Sequence, residues 1–135
     1  MTARPIMHLE IPTPDMATTA QFYATLFGWT PTSHPNAYTT FQAGNLSGGY
    51  PDLVRGFRPV IDHLPAAGAV FYVPSQDLET DLAQVTALGG QVLLGRTAVD
   101  AAHWVAVCAD PHGTRFVLVT TVAAPCETAP ISVAS

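Results

Sequence analysis

Ile11-Pro12-Thr13-Pro14-Asp15 returns 62 positions later as Val73-Pro74-Ser75-Gln76-Asp77, and the same offset carries Thr18 onto Thr80, Leu26 onto Leu88 and Gly28 onto Gly90. A constant offset held along a whole segment marks an internal duplication. Each copy stands where a strand-like run gives way to an amphipathic helix. The first helix starts near Thr13-Pro14-Asp15, carries Met16, Ala20, Tyr23 and Phe27 on one face, and stops at Gly28. The second starts near Ser75, has Asp77 and Glu79 in its first turn, buries Leu78, Leu82, Val85 and Leu88, and stops at Gly89-Gly90.

Working outward, strand-like runs precede the helices at Ile6 to Ile11 and Ala69 to Val73. After the first helix come Thr30 to Ser33, Ala37 to Gln42 and a weaker run around Leu46 to Tyr50. After the second come Gln91 to Ala98, His103 to Ala109 and Arg115 to Thr121, the last two joined by an Asp110-Pro111-His112-Gly113 turn. The order is βαβββ, twice. The chain reads as a single domain, with module one at about residues 6–50, a connector at 51–66, module two at about 67–121 and a tail at 122–135.

Composition narrows the function. The 135 residues include five arginines and no lysine, with a formal charge of −5. That leaves no basic stripe for nucleic acid and no lysine for a Schiff base. Apolar residues make up 48% and charged residues only 11%, so some apolar surface is expected in a pocket or an interface, and a homodimer is expected. Cys108 and Cys126 belong to no CxxC pair; Cys108, in an apolar run, reads as a reduced core residue. No apolar run is long enough to span a bilayer and the N-terminus does not read as a signal peptide, so no membrane partner and a cytoplasmic location are expected.

His8-Leu9-Glu10-Ile11 leading to Asp15, then Phe22-Tyr23, Leu26-Phe27-Gly28-Trp29, Leu88-Gly89-Gly90 and the Asp110-Pro111-His112-Gly113 hairpin occur in order on this duplicated frame. In this the chain resembles the vicinal oxygen chelate superfamily, which includes glyoxalase I, the bleomycin-resistance proteins and the extradiol dioxygenases. The resemblance covers about residues 6–121. It implies an α+β fold in which two tandem βαβββ modules form a curved, trough-like mixed sheet with helices on the outer face and the ligand on the concave face.

Metal-dependent members carry a ligand on the first and the last strand of each module. His8, seven residues before Asp15, matches the first of these positions and is the only one retained. Its counterpart in module two is Val70, and the last-strand position seven residues after Asp110 is Val117. No Asp or Glu lies between Asp15 and Asp52 or between Asp110 and Glu127, so the carboxylate oxygens that hard divalent ions need are missing. No metal and no other cofactor is expected.

His8 and Glu10, two apart on a strand, point to one face, which the resemblance makes the concave one. Glu10 in an apolar trough either contacts a ligand or is satisfied by a backbone N–H, an arginine or His8. His103, Val105 and Val107 share the inner face of their strand, and ligand contact is favoured over core packing for His103. Trp104 faces the helix. Tyr72 is the repeat counterpart of Glu10 and could orient a ligand through its hydroxyl, whereas His34, His63 and His112 read as solvated loop residues.

These residues point to a small-molecule-binding protein of the glyoxalase/bleomycin-resistance type, without the family metal site and with ligand contacts from His8, Glu10, Tyr72, His103, Val105 and Val107. The alternative is a lyase or isomerase with Glu10 or His103 as catalytic general base, either metal-independent or with a non-standard metal site through His8, Glu10 and His103.

Overall fold

The computed structural model describes residues 3–34, 38–54, 57–65 and 68–121; the tail at 122–135, with Cys126, lies outside the described residues. Chain contacts divide it into two units, Ile6–Tyr72 and the residues from Val73 onward together with those before Ile6. In the first unit the elements are β1 (His8–Glu10), α1 (Met16–Phe27), β2 (Thr30–His34), β3 (Tyr38–Ala43), β4 (Leu46–Pro51) and α2 (Arg58–Ile61). Then β5 (Val70–Pro74) crosses into the second unit, which holds α3 (Leu78–Ala87), β6 (Gln91–Ala98), β7 (His103–Ala109) and β8 (Arg115–Thr121). The class is α+β, with a mixed sheet.

Strands of the first unit are ordered β2-β3-β4-β1-β5. β1 runs parallel to β4, with Glu10 beside Gly49, and antiparallel to β5, with His8 opposite Tyr72 and Glu10 opposite Val70. In the second unit β7 lies between β8 and β6, antiparallel to both. Arg4 joins this unit because its guanidinium grips both Asp81 oxygens, at 2.7 and 3.0 Å, and the Pro74 carbonyl at 3.2 Å.

The duplication reappears in hydrogen bonds. Asp15 caps α1 by accepting from the Thr18 N–H at 3.1 Å and its hydroxyl at 2.8 Å; Asp77 caps α3 through Thr80 in the same way, at 3.2 and 2.9 Å. These bonds hold both carboxyls below the usual carboxylate range. Thr13 Oγ1 meets Thr19 Oγ1 at 2.7 Å, and the equivalent pair is Ser75 Oγ donating to Asp81 at 2.6 Å. Gly28 closes α1 at φ 74°, a left-handed position that glycine adopts without strain.

Each helix covers one face of its own strands. Ala20 packs on Phe41 and Tyr50, with Ile11, Met16, Tyr23 and Trp29 around them and Trp29 stacked on Phe41 at 5.0 Å. Leu78 and Leu82 pack on Ala106, Cys108 and Leu118, with Trp104 against them as the alternation along β7 requires. Cys108 is a free, buried thiol, pushed by burial up to about 11.

Three local readings are corrected. Leu88 is exposed, because it is the cap residue of its helix and stands beyond the last turn that packs on the sheet. Asp77 is the cap of α3 rather than part of its first turn. The connector contains a short helix, α2, entered through Pro59, a residue that suits the first helical turn.

Candidate functional site

Period-two alternation decides which side chains stand away from α1. Ile11 packs beneath α1, so Glu10 and His8 project from the opposite face of β1. Phe41 faces α1, which puts Tyr38, three residues earlier, on the same open side as Glu10. The antiparallel register sets Tyr72 directly opposite His8 and therefore on that side too. Four side chains from three strands of the first unit thus converge.

Their hydrogen bonds form one connected set. Glu10 is only 7% exposed, and both of its oxygens accept from phenols: Oε2 from Tyr38 at 2.7 Å and Oε1 from Tyr72 at 2.5 Å. His8 Nε2 lies 3.0 Å from the Tyr38 hydroxyl and 3.5 Å from Glu10 Oε2, and the His8 and Tyr72 rings meet edge to face at 5.2 Å. Burial, followed by the charge of Glu10, pushes both tyrosines well above the ordinary phenol range, so they remain donors at any working pH. A buried carboxylate is tolerated here because two charge-assisted hydrogen bonds replace the water it has lost.

Tyr38 was not among the residues singled out from the sequence. Its ring reaches across β4 over Gly49, where a Cβ would stand 1.8 Å from the Tyr38 hydroxyl oxygen. The adjacent Gly48 is equally hemmed in, by Phe41 on the α1 side. The Gly48-Gly49 pair inside a strand was the available signal, since glycine there marks a close approach of neighbouring groups.

His8, Glu10 and Tyr72 are brought together, whereas His103, Val105 and Val107 belong to the second unit. Val105 and Val107 are buried. His103 is partly exposed, and its Nδ1 lies 2.9 and 3.1 Å from the two Asp100 oxygens. Burial raises the Asp100 carboxyl, but the hydrogen bonds from Ala102 and His103 outweigh it and leave it lowered. On the α1 side of the first unit, a cleft of about 430 Å³ is lined by Met16, Gln21, Pro31, Ser33, Thr39 and Asp52.

The residues present do not suit the ion that the resemblance implies. Thr13 N–H donates to the Pro51 carbonyl and its repeat counterpart Ser75 donates to Val119, so Gly49 occupies in β4 the place that Val117 occupies in β8. The positions for ligands are therefore His8, Gly49, Val70 and Val117. One has no side chain, two are fully buried valines, and His8 Nε2 is engaged with Tyr38. Both oxygens of Glu10 are already capped by phenols.

The sequence pattern of the glyoxalase-like domain matches residues 8–119. An anthracycline biosynthesis protein, DnrV of Streptomyces peucetius, is 33% identical over 120 residues; the match spans 79% of this chain but only 43% of that relative, so the chain spans about half the length of what it resembles. Among solved structures, a glyoxalase/bleomycin resistance protein/dioxygenase superfamily member from Vibrio splendidus superposes with a TM-score of 0.59 at 14% identity, covering 87% of this chain and 99% of that one. Methylmalonyl-CoA epimerase of Streptomyces coelicolor gives 0.55 at 19%, covering 87% and 97%. At such identities the structures attest the fold alone. With a family pattern that spans most of the sequence and a duplicated βαβββ frame beneath it, the chain belongs to the glyoxalase-like domain family of the vicinal oxygen chelate superfamily.

Proposed function

We propose that this is a small-molecule-binding protein that acts without a divalent metal, holding an oxygenated aromatic ligand on the face formed by His8, Glu10, Tyr38 and Tyr72, with residues 1–135 as one domain. The observation that carries the reading is Glu10, nearly buried yet fully hydrogen-bonded by two phenols, with a partly exposed imidazole at its edge. Such a cluster offers aromatic ring edges and one polar handle, the usual make-up of a site for a small, partly apolar molecule. The relative named for anthracycline biosynthesis supports a polycyclic ligand class.

Chelator-treated protein titrated with an anthracycline, followed by ligand fluorescence, is expected to show saturable binding unchanged by added chelator. Binding that appears only after a divalent ion is added would overturn the reading. Turnover, followed in the same titration, tests a second reading favoured by one observation: the Asp100 carboxylate orients the His103 imidazole as an orienting group holds a general base. Ligand converted by wild type and not by His103→Ala would establish a lyase or isomerase.

A cytoplasmic homodimer completes the proposal. No helix among the described residues is long and apolar enough to cross a membrane, and Phe22, Leu26 and Phe27 stand more than half exposed on α1. Light scattering should give twice the 14.3 kDa chain mass, and a monomer at micromolar concentration would contradict it.

A further inference from the structure

The direction of the hydrogen bonds decides what His8 offers a ligand, an inference that rests on the ligand face proposed above. Tyr38 has a single hydroxyl proton, which it gives to Glu10 Oε2 at 2.7 Å. Toward His8 Nε2, 3.0 Å away, the Tyr38 oxygen can only accept. The other group near that nitrogen, Glu10 Oε2 at 3.5 Å, is also an acceptor. Nε2 must therefore carry hydrogen, and in the neutral imidazole Nδ1 is then the bare acceptor.

Among the described residues nothing else hydrogen-bonds His8, and its side chain is 22% exposed. The Tyr72 ring, edge-on at 5.2 Å, limits how far the imidazole can turn. We propose that His8 Nδ1 is the specificity-determining atom of the site: it accepts from the ligand, so the ligand class is an aromatic bearing a hydroxyl or N–H donor. Tyr38 and Glu10 are positioning residues that hold the tautomer. A methyl ether of the same ring system, having no proton to give, sets its oxygen lone pairs against that of Nδ1.

Two-bond ¹H–¹⁵N spectra of the histidine rings at pH 8, with 2-naphthol and 2-methoxynaphthalene as probes, test this. Free protein is expected to show His8 protonated at Nε2 and bare at Nδ1. 2-Naphthol should shift Nδ1 and bind about fivefold tighter than its ether, as expected for one neutral hydrogen bond. In Tyr38→Phe only Glu10 Oε2, 3.5 Å away, still accepts from Nε2, so the tautomer should become less uniform and the preference smaller than in wild type. Protonation at Nδ1 in the free protein, or equal affinity of the two probes, would overturn the assignment. If both probes move the Tyr72 and Glu10 side-chain signals but leave Nδ1 unmoved, the ligand face stands and the acceptor role falls. If neither probe moves any of them, both fall.

Discussion

Glu10→Ala is expected to destabilise the fold by about 1–3 kcal/mol, the cost of leaving the part-buried Tyr72 phenol without an acceptor, while Tyr38 can turn to His8 Nε2. Tyr38 and Tyr72 both aim their hydroxyls at this one carboxylate; Tyr38 has a second polar neighbour in His8 Nε2 at 3.0 Å, which can accept from it once the tautomer changes, whereas no second acceptor for Tyr72 is seen among the described residues. Glu10→Gln is milder, about 1 kcal/mol, in the range of a single net hydrogen bond. The amide oxygen can still accept from one phenol, but the amide NH2 faces the other and forces its hydroxyl to turn away. Urea midpoints of the variants check the order, which should be Ala below Gln and Gln slightly below wild type. An alanine variant within about 0.5 kcal/mol of wild type, the scatter of ordinary surface substitutions, would show that the Tyr72 phenol finds another partner.

Gly49→Ala tests the same cluster from the opposite strand, with an expected cost of about 3 kcal/mol from overpacking plus a lost charge-assisted bond. The new methyl would stand 1.8 Å from the Tyr38 hydroxyl oxygen and 2.2 Å from Cζ, so the ring must leave and with it the hydrogen bond to Glu10. In a Tyr38→Ala background the clash disappears, and Gly49→Ala should then cost less than about 1 kcal/mol, giving a large coupling in the double-mutant cycle. Gly95, where an added Cβ meets nothing within 4 Å, is the control and should tolerate alanine. Additive costs for Gly49 and Tyr38 would mean that the ring does not lie over the glycine.

Local signals carried much of the fold. The repeat offset, the acidic cap of each helix and the glycine that follows it are short-range features, and Asp15 and Asp77 make the same pair of bonds in the two copies. Helix periodicity tells which residues share a stripe but not where the sheet beneath it ends, so Leu88 reads as buried although it is exposed. Of the site, His8 and Glu10 were legible as neighbours on one strand face, and Tyr72 as the repeat counterpart of Glu10. Tyr38 was not, because it comes 28 residues after Glu10 and meets it only through the register of two strand pairings. The alternation that placed it could be applied only once that register was known.

Side-chain chemical-shift mapping of chelator-treated protein saturated with 2-naphthol tests the central claim most directly. The largest changes are expected at His8, Glu10, Tyr38 and Tyr72, on the sheet face away from α1, with no divalent ion present. Changes confined to Met16, Gln21 and Pro31, in the cleft on the α1 side, or a response that requires added metal, would contradict the account.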